Sequence, residues 1–203
     1  MPNIDRPQGL VPVKMITGAP WNGQVSTYMV DNANATALFI GDLVKQVNTG
    51  SGAAGETVFG QDVEGLMHVV QAAAGDAVLG VVVGFSPNQD NLMQRHRAAS
   101  TDRLVYVVDD PNVVFEIQEV SGGTPLAAAD VGLNSNVVVG SGNATTGLSG
   151  MELDNAAEAV TATLQLKILG LSPRPDNNIG EHAKWLVKIN NHQLGSHTGT
   201  AGI

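Results

Sequence analysis

The chain has 203 residues, no cysteine, and 19 acidic against 10 basic residues, for a formal charge of −9. Without cysteine there is no disulfide framework, thiolate metal site or thiol chemistry, and an acidic chain with no basic stripe argues against direct nucleic-acid binding. Only 14% of the residues are charged and 24 are glycine, so turns are many and the surface rests on Asn, Thr, Ser and Gln, which suits packing against neighbouring subunits. No apolar run approaches the roughly 18 residues of a membrane span, and the first residues lack a signal-peptide pattern, so the expectation is a soluble chain with no membrane partner.

Residues 1–22 carry Pro2, Pro7, Pro12 and Pro20, too closely spaced for a helix or a central strand. The expectation is an extended arm that orders on a partner, with Arg6, Leu10, Val11, Val13 and Trp21 as its candidate contacts. Residues 24–31 read as a strand with Val25 and Tyr28 pointing inward.

Two segments then share one grammar: small residues, a Gly-Asp turn and a β-prone run, at 35–47 around Gly41-Asp42 and at 72–85 around Gly75-Asp76. Glycine supplies the turn's backbone freedom, aspartate hydrogen-bonds nearby backbone, and the valines favour a pleated, packed surface. Between them, 48–65 reads as a long loop with a short strand near 57–59, followed by a strand at 66–70. The strand at 78–85 is apolar on both faces and should be central.

The only basic spot is Arg95, His96 and Arg97 with Arg103 nearby, read as a solvated loop or edge. Residues 103–109 and 113–120 read as a hairpin about Asp109-Asp110-Pro111-Asn112, with Glu116 and Gln118 on a wet face. One short helix is expected at 126–131, capped by Thr124, started by Pro125 and stopped by Gly132. Strands follow at 137–139, at 161–171 with Gln165 and Lys167 on the polar side, and at 184–190, before a glycine-rich tail. The fold class is all-β: a small, antiparallel β-barrel or β-tulip-like domain with one short helix and an extended N-terminal arm. It divides into an arm at 1–22, a β-rich domain at 23–192 and a tail at 193–203.

No catalytic constellation emerges. The glycines at 50, 52 and 55 match a dinucleotide fingerprint but do not open a helix. His68, His96, His182, His192 and His197 have no metal-ligand spacing, and Asp109 and Asp110 are turn formers. The expectation is no enzyme, no cofactor and no metal. A ligand-binding β module would have Trp21 and Trp185 as its platforms.

The segments 35–44, Ala-Thr-Ala-Leu-Phe-Ile-Gly-Asp-Leu-Val, and 72–83, Ala-Ala-Ala-Gly-Asp-Ala-Val-Leu-Gly-Val-Val-Val, resemble the head-decoration (cement) proteins of tailed bacteriophages, including the lambda-type family. The stretches 106–117, 130–136, 142–151 and 183–192 more loosely resemble virion structural proteins of phages. The resemblance implies a small β domain, made in the host cytoplasm, that sits as a homotrimer on the capsid exterior with its amino-terminal arm ordered against the major capsid protein. Another virion component, such as a tail or head-tail connector protein, is the alternative within the same class.

Overall fold

The computed structural model describes residues 3–51, 57–195, 199, 201 and 202. Gly52, Gly55 and His197, named above, lie outside the described residues. The strands run in chain order as β1 (Val11–Met15), β2 (Ser26–Val30), β3 (Leu43–Ser51), β4 (Thr57–Val58), β5 (Gln61–Asp62), β6 (Met67–Gln71) and β7 (Gly80–Phe85). They continue as β8 (Arg103–Val108), β9 (Val113–Gln118), β10 (Asn134–Ser135), β11 (Val137–Val138), β12 (Glu152–Leu153), β13 (Leu166–Leu171) and β14 (Lys184–Ile189). The fold is all-β, as the composition and patterning led one to expect, and among the described residues no helix is long and apolar enough to cross a membrane.

Two layers share the core. A closed barrel runs β2-β6-β3-β7-β8, and a five-stranded sheet runs β1-β9-β14-β13-β10. Tyr28, Val30, Val44, Val69, Val82 and Val105 fill the barrel. A larger cluster joins Leu43, Val81 and Val108 of the barrel strands to Phe115, Trp185 and Ile168 of the sheet. The two Gly-Asp segments meet in the barrel, where Leu43 pairs with Val81 and Val44 with Gly80. β7, apolar on both faces, sends Val82 into the barrel and Val81 into the interface with the sheet, which is why its sequence does not alternate.

The turns explain the grammar. Gly41 has φ +98° and Gly75 has φ +83°, and in each turn the aspartate accepts from the backbone three residues back: Phe39 N–H to Asp42 Oδ2 at 2.9 Å and Ala73 N–H to Asp76 Oδ2 at 2.8 Å. Asp42 is fully buried and also accepts from Ser149 Oγ and Gln71 Nε2. Burial raises its pKa, and these hydrogen bonds oppose the rise.

Several expectations are corrected. The barrel is not purely antiparallel: β2 and β6 are parallel, through Met29 and His68. Strand directions cannot alternate all the way round a closed ring of five, so one parallel pair is required. Residues 103–109 and 113–120 are not a hairpin, because β8 is paired on both edges, with β2 and β7, and β9 pairs with β1 and β14. The helix is one 3-10 turn, Ala128–Asp130, because the chain turns extended at Val131 (φ −63°, ψ 123°) and Gly132 takes φ +99° directly after it. Val25 is exposed, lying before β2 begins, while Tyr28 is buried.

Three polar assignments also reverse. Gln165 is fully buried, where it bridges the sheet to the Ala73–Asp76 turn. Glu116 and Gln118 are buried rather than wet; Ser172 Oγ and Arg174 (3.2 Å) satisfy Glu116, and the chain amino-terminal to β1 covers Gln118. Arg97 and Arg103 are buried rather than solvated.

Candidate functional site

The candidate site is the amino-terminal segment and the sheet edge it forms. Residues 3–22, the described part of the extended arm expected at 1–22, add a strand to this chain's own sheet: Val11–Met15 pairs antiparallel with β9, from Val11 opposite Glu116 to Met15 opposite Val113. The register shifts between Pro12 and Lys14, which leaves Val13 as the extra residue of a bulge. An edge strand tolerates Pro12 because only one side of it must supply ladder donors. The chain then folds back along the outer edge: Ala19 O accepts from Met15 N–H at 2.7 Å and Val13 O from Trp21 N–H at 3.3 Å.

Upstream of the strand, the segment is pinned at three points. Asn3 donates from Nδ2 to Asn178 O and Glu181 O at 2.8 and 2.9 Å. Arg6 N–H donates to Gln118 Oε1 at 2.8 Å, and Gln118 Nε2 donates to Asp5 Oδ1 and Glu152 Oε1, both at 2.9 Å. Leu10 N–H donates to Gly41 O at 2.9 Å, and the Leu10 side chain is buried in the main core.

The five candidate contacts therefore separate. Leu10 is a core residue and offers nothing to a partner. Trp21 is half-buried against the main cluster, and its Nε1 is buried without a hydrogen-bond partner among the described residues. Arg6, Val11 and Val13 are exposed, as are Ile4 and Ile16 in the same stretch. Four exposed aliphatic residues thus fall within residues 4–16 of the chain.

Asp5, Glu152 and His182 each bring a ligand atom within 4.8 Å of the others. The amide of Gln118 lies among them: its orientation is set by Arg6 N–H, and its Nε2 also lies 3.4 Å from His182 Nδ1. That NH2 holds the position a cation would take, so the cluster acts as a clasp for the amino-terminal segment. Burial raises the pKa of Glu152, the Gln118 hydrogen bond opposes it, and the nearby Asp5 carboxylate adds to it. Sequence reasoning put Gln118 on a wet face, found no metal-ligand spacing for His182 and did not single out Glu152; the three come from different segments, and no local pattern joins them.

Of the two tryptophans expected as platforms for a ligand-binding module, Trp185 is 1% exposed and donates Nε1–H to Glu119 Oε2 at 2.8 Å, while Trp21 is half-buried. Comparison of the chain with models of known protein families, with curated proteins and with solved structures yields no match.

Proposed function

We infer that the chain is a virion structural protein: a head-decoration, or cement, protein that binds the outside of the expanded capsid of a tailed bacteriophage and stabilises it. The observation that carries this reading is the resemblance of the two Gly-Asp segments, 35–44 and 72–83, to that family, joined to their adjacency in the barrel, where Leu43 opposes Val81. The low share of charged residues, 14%, and the exposed Val11, Val13 and Ile16 in and beside β1 support an assembly role. Its partners in this reading are the major capsid protein and further copies of the chain, as a trimer on the virion exterior, and no cofactor or catalytic step is involved. Such a protein works by mass action and avidity: a trimer that binds several capsid subunits only in their expanded arrangement stabilises that arrangement.

Deleting residues 1–22 would remove Leu10 from the core, so the test uses surface variants. Val13→Glu with Ile16→Glu should leave the fold and the oligomer intact and abolish co-sedimentation with expanded capsids. Failure of the wild-type protein to co-sediment with expanded capsids, while it binds tail or connector assemblies, sinks the decoration reading. Solution mass separates the two independently, a trimer supporting decoration and a larger ring supporting a connector.

A further inference from the structure

Two arginines close in sequence are both buried and are treated in opposite ways. Arg97 places every donor group on backbone: Nε on Thr101 O at 2.8 Å, Nη1 on Asn34 O and Thr36 O at 2.8 and 2.6 Å, and Nη2 on Asp31 O at 2.7 Å. Arg103 is 3% exposed, and among the described residues its buried Nε has no hydrogen-bond acceptor and its side chain no ion pair. The ring of Phe59 lies over its guanidinium, 5.7 Å from Cζ. A ring face does not engage the in-plane donors of a guanidinium, which are built to grip a planar oxyanion.

The fold holds an opening for that oxyanion. Arg103 lines a cavity of about 400 Å³ together with Phe59, Asn88, Asp90, Ser100 and Asp102. Arg103 opposes Val30, whose side chain lies in the barrel interior, so the guanidinium sits toward one end of the barrel.

Backbone strain converges on the same cavity. Among the described residues, the non-glycine positions with positive φ are Phe59 (+50°), Ser100 (+55°) and His182 (+59°), and the first two line this cavity. Phe59 and Gly60 (φ +77°) are the two turn residues between Val58 and Gln61. A hairpin turn with positive φ at both positions favours Asn, Asp or Gly at the first, and a bulky phenylalanine there is strained. The strained residue is the one whose ring lies over the unpaired guanidinium, and strain of this kind gathers at binding sites.

The charges around the cavity choose among anions. Asp90 and Asp102 line it, with Asp102 accepting from Asn32 N–H and Nδ2 at 2.8 and 2.9 Å. Two carboxylates beside one arginine repel a dianion more than a monoanion.

We propose that Arg103 and Phe59 form a binding site for a carboxylate, carried either on an acidic side chain of a polypeptide or by a free small acid. The guanidinium takes the carboxylate through paired hydrogen bonds, and the ring shields them from water. This site is independent of the edge strand and of the capsid reading.

The test is nuclear magnetic resonance of the full-length, nitrogen-labelled protein, following the Arg103 Nε–Hε signal. The probes are acetate, N-acetylglutamate N-methylamide, phosphate and, as an uncharged control, acetamide. The carboxylates should shift that signal saturably, phosphate should bind more weakly and acetamide should do nothing. Tighter binding of the glutamate probe than of acetate assigns the source as a polypeptide side chain, and equal binding assigns it as a free acid. Arg103→Gln should lower carboxylate affinity about tenfold, and Phe59→Leu about threefold while leaving Arg103 in place. The Phe59→Leu arm decides the matter if Arg103→Gln does not fold. No saturable shift with either carboxylate, phosphate binding as tight as acetate, or full affinity in the variants overturns the proposal.

Discussion

The indole N–H of Trp185 donates to Oε2 of Glu119 at 2.8 Å inside the main core, and the other carboxylate oxygen of Glu119 is buried with no partner among the described residues. Burial pushes the Glu119 pKa up to about 7, against the opposing hydrogen bonds from Trp185 and the Leu126 N–H. Because the folded value lies above the ordinary 4.5, the neutral form favours folding. That contribution is complete below pH 4.5 and is lost as the pH rises through 7. Glu119→Gln removes the titration, so relative to wild type the variant should gain up to about 3 kcal/mol in unfolding free energy between pH 4.5 and pH 8. Urea denaturation at both pH values checks this, and an equal difference at the two would refute it.

Gly9 and Gly41 hold the amino-terminal segment against the first Gly-Asp turn. A Cβ on Gly9 would lie 2.3 Å from Gly41 O, and one on Gly41 would lie 2.2 Å from Gln8 O. Gly41→Ala also meets φ +98° and should cost about 2 kcal/mol or more, with loss of hydrogen-exchange protection at the Leu10 amide. Gly23→Ala, at φ +87° with open space around it, supplies the comparison. It should cost only about 1 kcal/mol of backbone strain and leave Leu10 protected.

Arg97 ties the 31–36 loop to the barrel through carbonyls, with no salt bridge to a carboxylate among the described residues, so its planar fork matters as much as its charge. Arg97→Lys keeps the charge but cannot reach four carbonyls spread about one plane. A loss of about 3 kcal/mol is expected in chemical denaturation, larger than for any exposed Arg→Lys change in this chain.

Gln165 joins the second Gly-Asp turn to the sheet: its Nε2 donates to Ala73 O at 2.8 Å and Asp76 O at 3.2 Å, and its Oε1 accepts from Val137 N–H at 3.2 Å. Gln165→Leu keeps the volume and strands these groups in the interior, with a cost of about 3 kcal/mol. Hydrogen exchange should speed at Val137 before it speeds in β13; unchanged exchange there would mean that the bridge is dispensable.

What sequence alone determined was local. Gly41-Asp42 and Gly75-Asp76 announced their turns because glycine accepts positive φ and a short carboxylate reaches back three residues. The strands at 78–85 and 184–190 were legible because a period of two, or apolarity on both faces, records how a strand is buried. Within the candidate site, Arg6, Val11 and Val13 are exposed and Leu10 is buried, a division that the spacing of prolines and apolar residues in 1–22 does not record.

Only tertiary structure decided which strands pair and which polar groups are buried. A strand carries equal hydrogen-bonding capacity on its two edges, so nothing in residues 103–120 says that β8 gives both edges to the barrel and leaves β9 to the sheet. Glu116, Gln118 and Gln165 look solvent-facing by alternation, and segments distant in the chain cover them. Arg97 and Arg103 look alike in sequence; four carbonyls brought in by folding satisfy one, and the other is left facing Phe59 and an open cavity. Burial and pairing are properties of neighbours, and those neighbours are assembled only when the barrel closes on the sheet.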